Sequence, residues 1–427
     1  MLSRLEDYRD KKYISFHTPC HMGRNKLLNR ALKSSLDLTE LEETDNLFDE
    51  KGCIKALEEK MACVLSGDVF YPLCNGATSG VMAALSVFSE GDKVLFDRNS
   101  HISAVNGIRM YRINPVFINT TLNDFNIPNP PKVCEVIKAI EENPDVKGIF
   151  ITNPNYYGMS AKLSEIIAIA KEKKLIIIVD EAHGTHLRYI DKNPLKPDIS
   201  ILSFHKNLPA LTQTGGILIN NKSLSGKVKS ALRCFTSTSP SYLFMLSIDA
   251  MNIYMEREGR AKLSEYLNYL TAVKKELSDK GVKVLTDNDA FKIVVNTKEA
   301  AKKAELIKKK YKIVPEMCDR ENITFIVSIH NYIKEIELLK KALYEFCTEK
   351  GTAHLNFVLP KKALTPYEVS LRETETVPMK EAIGRISAQT IIDFPPSIPI
   401  VCEGEIIDEN VIGLIKNKTV ECVKYEL

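Results

Sequence analysis

The sequence predicts an α/β fold: a mainly parallel central sheet wound with helices on both faces, then a smaller α+β domain and a C-terminal segment. Three observations carry this reading. From Val69 to Ile219 short apolar runs alternate with helical rhythms, the pattern of repeated strand-helix-strand units. Within that stretch, Leu175 to Val179 is an unbroken aliphatic run, mostly β-branched, halted by Asp180 and Glu181, as expected of a strand buried on both faces of a parallel sheet. From residue 281 onward the pattern changes to short strands between longer helices.

Taken in order, residues 1–52 read as an N-terminal arm and loop. MLSRLEDYRDKK is charged from its fourth residue and lacks the apolar core of a secretory signal. YISFHTPCHMGR (13–24) crowds His17, Cys20 and His21 together, but no fourth ligand follows at a zinc-finger spacing, so it is read as a loop. Residues 37–52 are acidic and turn-forming, and Ile54 to Leu65 has the apolar spacing of an amphipathic helix.

Residues 53–280 form the expected large domain. Val69 to Leu73 is a strand that runs through Asn75-Gly76-Ala77-Thr78-Ser79-Gly80 into the helical run VMAALSVF. Backbone N–H groups and small hydroxyl residues at a helix start suit a phosphate, although a plain cap by Thr78 or Ser79 explains them equally well. Strands follow at Lys93 to Asp97, Pro115 to Ile118 and Gly148 to Thr152, with helices from Asn99 to Tyr111, over 131–142 and from Ser160 to Lys173. Ile199 to Ser203 and Gly215 to Ile219 are further strands, and 221–280 reads as two or three helices broken by the hydroxyl-rich CFTSTSPSY. Residues 281–352 make the small domain, with strands at Val282 to Leu285, Lys292 to Val295 and Ile323 to Val327, and helices over 297–310 and 333–349. Residues 353–427 are a final segment holding the acids Glu368, Glu373, Glu375, Glu381, Asp393, Glu403 and Glu405.

Composition narrows the function. Of 427 residues 44% are hydrophobic and 26% charged, an ordinary soluble balance with ample core. The net charge of +3 and the lack of a basic tract with interleaved aromatics argue against nucleic acid as a partner. No run approaches the ~18 apolar residues that a membrane helix needs. Ten scattered cysteines with no CxxC pair point to a reducing, cytoplasmic setting.

Chemistry concentrates at the strand ends, where open α/β sheets put their ligands. Asp180 ends one strand, and the next delivers Ser203, His205 and Lys206 to the same edge. Pyridoxal phosphate (PLP) needs a lysine amine for its aldehyde and a carboxylate to keep its pyridine nitrogen protonated, and this pair supplies both. His101 falls at a third strand end, where a flat imidazole suits a flat ring; as a lone histidine it also suits a helix start.

These motifs also carry a resemblance. FHTPCHMGR, DLTELEETDNLFDEKG, NGATSG, DRNSHIS, TNPNYYG, VDEAHGTHL, SFHKNLPALTQTGG, TSTSPSY and GRISAQTIIDFPPSIPIVCEGE, in that order across residues 13–408, resemble the landmarks of the Orn/Lys/Arg decarboxylases. The likeness is closest to the short bacterial form, which lacks the N-terminal regulatory wing. The resemblance implies a PLP-dependent enzyme of the aspartate-aminotransferase fold (fold type I). It would decarboxylate lysine, arginine or ornithine in polyamine biosynthesis, as a homodimer or larger even assembly with active sites at the subunit interface. By motif, Lys206 would be the Schiff-base lysine and Asp180 the partner of the pyridine nitrogen, with His101 and Ala182 against the two ring faces. Ala77, Thr78, Ser203 and His205 would hold the phosphate, joined by Thr238 (or Ser237) from across the subunit interface, with Ser79 and His183 among the cofactor contacts. Lys206 or His205 would return the proton to Cα.

The sequence departs from the family's opening FHTPGHKGG at Cys20, Met22 and Arg24, has Asn207 after the lysine where Thr is usual, and carries Phe394 and Glu403 in the late motif. These departures bear on substrate identity more than on cofactor. For the distal cation of the substrate the late acids, especially Glu375, Glu381 and Glu405, are candidates. Three other readings stay open on residues alone: a different fold type I reaction (aminotransferase, desulfurase or aldolase), a silent PLP-fold protein, or a zinc site of His183 and His186 with His17 or His21.

Overall fold

Aliphatic runs with no polar face are satisfied only inside a sheet covered on both sides, and the long apolar runs of this chain lie there. The computed structural model describes residues 1–41, 43–351, 358–393, 398–412, 414–415 and 418–424. Its strands are β1 (Ile14–Phe16), β2 (Val69–Leu73), β3 (Lys93–Phe96), β4 (Asn114–Phe117), β5 (Gly148–Thr152), β6 (Ile176–Asp180), β7 (Ile199–Ser203), β8 (Gly215–Ile219), β9 (Lys292–Asn296), β10 (Ile313–Pro315), β11 (Met317–Cys318) and β12 (Asn322–Ile326). The C-terminal segment adds β13 (Thr374–Pro378), β14 (Ile391–Asp393), β15 (Ile398–Val401) and β16 (Thr419–Val423).

Seven strands form the central sheet in the order β2-β8-β7-β6-β5-β3-β4. β8 alone runs against its neighbours, pairing antiparallel with β2 and β7. Alternate side chains of one strand reach opposite cores. Phe150 and Ile178 pack with helices Gly76–Leu85, Ile102–Met110 and Ser225–Phe235, while Ile149, Ile151, Ile177 and Val179 pack with Val133–Glu142 and Leu163–Glu172. Two-sided covering is what the aliphatic runs required, and it aligns the carboxyl ends of β3, β5, β6 and β7 along one edge.

Beyond the sheet, helices Tyr242–Tyr254 and Arg260–Asp279 lead to the small domain, whose three-stranded antiparallel sheet has the order β11-β12-β9. Two readings from sequence are corrected here. The segment 13–24 is not all loop, because β1 pairs parallel with β10. Val282–Leu285 is not a strand and keeps one isolated bridge, Val284 to Val295. Neither outcome is local: β1 finds its partner 299 positions along the chain, Ile14 opposite Ile313, which no short-range pattern reports. The C-terminal segment pairs β13 with β16 and β14 with β15. It is clamped to the large domain by Arg98, which follows β3 and donates to both oxygens of Glu405 (2.8 and 2.9 Å), with both side chains 1% exposed.

Candidate active site

The edge formed by those strand ends encloses a cavity of about 180 Å³, lined by Asp180 from β6, Thr152 from β5, Ser203 from β7 and Lys206 from the short helical turn Phe204–Asn207 that follows. Parallel strands that end in register deliver a carboxylate and an amine to one place. Asp180 is 4% exposed, and its Oδ1 accepts the Ala182 amide at 3.0 Å. Burial raises the Asp180 pKa against the pull of Lys206 and that amide. Burial lowers the Lys206 pKa, with Asp180 and Glu316 opposing. An amine poised to lose its proton beside an acid poised to keep one is a reactive pairing.

One end of the cavity fits an anion. Helix Gly76–Leu85 begins there with no side-chain cap from Asn75; the Gly76 amide donates to the Gln213 carbonyl (2.8 Å), and the N–H groups of Ala77 and Thr78 that follow are left to a ligand. Ala77 and Thr78 line this end. Ser203 and His205 line the cavity too, with Ser203 Oγ 3.3 Å from His205 Nδ1. Gly215 keeps the space clear, since a Cβ there would come within 2.8 Å of the Leu202 carbonyl and 3.3 Å of the Ala77 amide. Two buried polar atoms at the cavity wall, Thr152 Oγ1 and Asn99 Oδ1, have no protein partner. The residues present fit a phosphorylated aromatic aldehyde.

His101 serves both roles considered for it. It caps helix Ile102–Met110, accepting the Ser103 amide at Nδ1 (3.1 Å), and its ring lines the cavity. Burial, then Lys206, pushes its pKa down to about 4, so the ring is neutral and keeps its proton on Nε2. Ala182 and His183 also line the cavity. Ser79 does not: it is buried and its hydroxyl donates to the Gly76 carbonyl at 2.8 Å. Ser237 and Thr238 lie exposed on the loop after helix Ser225–Phe235, away from the cavity of their own chain.

The profile of the Orn/Lys/Arg decarboxylase major domain matches residues 1–305, and that of the family's C-terminal domain matches 349–418. The chain belongs to the Orn/Lys/Arg decarboxylase family. It is 29% identical to an arginine decarboxylase of Bacillus subtilis over 97% of this chain and 92% of that one. An inducible lysine decarboxylase of Escherichia coli is 22% identical over 94% of this chain and 74% of its own length. In structure, the chain superposes on a lysine decarboxylase of Francisella novicida with a TM-score of 0.77 (18% identity, 91% of this chain, 74% of that one). The constitutive lysine decarboxylase of Escherichia coli gives the same TM-score of 0.77 (18% identity, 99% and 81%). An aromatic aminotransferase of Pyrococcus horikoshii shares the fold more distantly, at 0.51 (19% identity, 78% and 95%). The α/β fold type I architecture is therefore shared with these enzymes.

Against the decarboxylase pattern, the departures in the opening motif sit in definite places. Cys20 fills the position of a usual glycine directly behind the lysine: its amide donates to the His205 carbonyl (3.0 Å) and its thiol to the Lys206 carbonyl (2.9 Å). Arg24 turns away to the small domain, forming two bonds to Glu335 (2.8 and 2.6 Å) and stacking on Tyr332 at 4.5 Å. Glu403 faces Arg109 at 3.5 Å, and Phe394 lies outside the described residues.

The late acids do not converge on the cavity. Glu405 is consumed by Arg98, Glu375 pairs with Arg385 at 2.6 Å, and Glu381 is exposed. These three were candidates because they were acidic and late, a signal that ordinary ion pairing satisfies. Nor do the histidines of the zinc reading assemble. His186 pairs with Asp289 (3.2 Å) and His17 contacts Tyr8 (3.1 Å), and no group of three metal-ligand side chains converges among the described residues.

Sequence reasoning missed Tyr156, Glu316 and Lys292. Tyr156 lines the cavity and donates its hydroxyl to Glu316 Oε1 (3.0 Å), while Thr18 gives its amide to Glu316 Oε2 (2.8 Å). TNPNYYG signalled Tyr156 without assigning it a task. Lys292 stood out only as a charge opening an apolar strand, and nothing in the sequence marked Glu316.

Proposed function

We propose that this protein is a PLP-dependent decarboxylase of a basic amino acid, releasing CO₂ from arginine, lysine or ornithine. The convergence of Asp180 and Lys206 on one cavity, which the start of helix Gly76–Leu85 also lines, carries the proposal. When bound, PLP supplies an electron sink for the pair released as the carboxylate leaves.

The residues of this chain do the rest. Lys206 would supply the amine that holds the aldehyde of the cofactor. Asp180, buried in the cavity wall with its pKa raised, would keep a proton on the pyridine nitrogen. Ala77, Thr78, Ser203 and His205 would hold the phosphate, and the helix dipole of Gly76–Leu85 would favour its charge. His101 and Ala182, both in the cavity lining, would restrain the cofactor ring and so help align the bond to be broken. Lys206 or His205 returns a proton to Cα. Glu316, rather than the late acids, is the carboxylate available to a substrate cation, because it acts on Lys206 and is held by Thr18 and by Tyr156, a residue of the cavity lining.

The same reading extends to assembly. Thr238 is exposed and its loop starts beside the anion end, where Asn75 donates to the Phe235 carbonyl at 3.0 Å, which supports a homodimer in which this loop completes a neighbouring site. The four-part division at residues 52, 280 and 352 and a cytoplasmic setting belong to the proposal too; all ten cysteines are free thiols and no described helix is long and apolar enough to cross a membrane. The deciding experiment supplies PLP and each of the three basic amino acids, and follows CO₂ release against keto-acid formation. CO₂ release with one of them confirms the proposal, keto acid in its place assigns an aminotransferase, and neither product overturns catalysis of this class.

A further inference from the structure

Behind Lys206 lies a second enclosed lysine that the proposed mechanism does not use. Lys292 opens β9 and is 0% exposed. Its Nζ donates to the Tyr156 carbonyl (2.5 Å), stands 5.1 Å from the centre of the Tyr156 ring and lies 2.8 Å from His183 Nδ1. On the far side of the same imidazole, His183 Nε2 lies 3.0 Å from Lys206 Nζ. Each ring nitrogen of His183 therefore faces a lysine nitrogen.

Proton counting makes this arrangement informative. Burial and the two lysines hold the His183 pKa well below its ordinary value, so the ring is neutral. A neutral imidazole has one N–H and one lone pair. The lone pair can accept from an ammonium, but the N–H must find an acceptor, and a lysine offers one only as a free amine. At most one of the two lysines is charged. Burial brings the Lys292 pKa down to about 7 against the pull of Asp289, while Asp180 and Glu316 favour charge on Lys206; what marks Lys292 as the cation is contact, since its Nζ is seated on the Tyr156 carbonyl and over the Tyr156 ring. Among the described residues Lys206 Nζ has only His183 within hydrogen-bond reach. The groups facing this trio are Asp180, His101, His205, Glu316, Asp289 and Cys20, with Asp289 itself paired to His186.

We propose that Lys292 is a positioning residue: as the ammonium it donates to His183 Nδ1, fixes the ring proton on Nε2, and thereby holds Lys206 as the free amine that attacks a carbonyl. Its use rests on the reading of Lys206 as the cofactor lysine. The tautomer it imposes does not.

Two measurements test it. In the full-length protein with ¹⁵N-labelled histidine, long-range nitrogen-proton couplings at about pH 6, below the Lys292 pKa of about 7, are expected to show His183 as the Nε2–H form, and an Nδ1–H form overturns the proposal. In the cofactor-depleted full chain, the rate at which PLP condenses with Lys206 is followed by its visible absorbance across pH. Removing a like charge lets Lys206 keep its proton longer, so Lys292→Met moves the midpoint up by about one pH unit, while Lys292→Arg stays with the wild type. A folded Lys292→Met protein with an unmoved midpoint also overturns the proposal; if that variant does not fold, the wild-type tautomer decides. Should even the wild type take up no PLP, the cofactor reading fails, and the tautomer still judges Lys292.

Discussion

The change Glu405→Gln tests whether the C-terminal segment is tied down by one buried ion pair. Gln keeps the volume and removes the charge, leaving Arg98 as an enclosed cation. Glu405 accepts from Arg98 at both oxygens and also takes the Cys402 amide at 2.7 Å, while Arg98 further donates to the Ile400 carbonyl (2.7 Å) and lies 4.9 Å from the Phe117 ring centre. With both partners 1% exposed, solvent does not compensate the loss. Breaking such a pair from one side costs about 3–5 kcal/mol, a factor of roughly 10²–10⁴ in the opening equilibrium at about 1.4 kcal/mol per decade. Chains with several domains open in more than one step, so the assay is hydrogen exchange of the amides in β13 to β16, supported by urea unfolding. Protection there is expected to fall by at least about a hundredfold in Glu405→Gln. The double variant Arg98→Met/Glu405→Leu, which leaves no unpaired charge, is expected to recover much of it. Exchange in Glu405→Gln within about tenfold of the wild type, or a double variant as weak as the two single losses added, would refute the reasoning. An effect on substrate affinity with stability unchanged would return Glu405 to the role of cation reader.

Three further outcomes are expected. Lys206→Ala folds but loses both the visible absorbance of bound PLP and CO₂ release; full activity in that variant removes the assignment. Glu316→Gln raises KM for the cationic substrate by about tenfold or more with a smaller change in kcat, as loss of one charge-assisted contact predicts, and equal kinetics would acquit Glu316. Glu58 is buried with Oε1 unpartnered, and burial, aided by Glu50, pushes its carboxyl from 4.5 up to about 8. The unfolded chain gives up that proton near pH 4.5 while the folded chain holds it to about pH 8. The wild type therefore loses stability as pH rises through this window. Glu58→Gln should match it near the low end and exceed it near the high end in urea midpoints, and parallel pH profiles would exclude a protonated Glu58.

Much of the architecture was legible in the chain itself. Aliphatic runs such as Ile176 to Val179 admit few environments, and turns such as NGATSG and EAHGTH follow them within a few residues, so strand ends and their ligands are encoded side by side. That is why Asp180, His101, Ser203 and Lys206 could be named and were found around one cavity. Thr78 and Ser79 were neighbours of the same type in the sequence, and only the helix turn decided that Thr78 lines the cavity while Ser79 bonds back to Gly76.

Charged residues were harder, because a carboxylate or lysine has the same local signature whether solvated, paired or reactive. Glu405 and Glu316 are both single acids in mixed surroundings. One is neutralised by an arginine 307 positions away, and the other is held by a tyrosine 160 positions away. Lys292 meets His183 across 109 positions and Tyr156 across 136. Pattern along the chain determined the sheet and the groups at its edge; packing of the small domain and the C-terminal segment against the large one decided which distant charges meet, since electrostatic interaction depends on separation and burial and not on order in the chain.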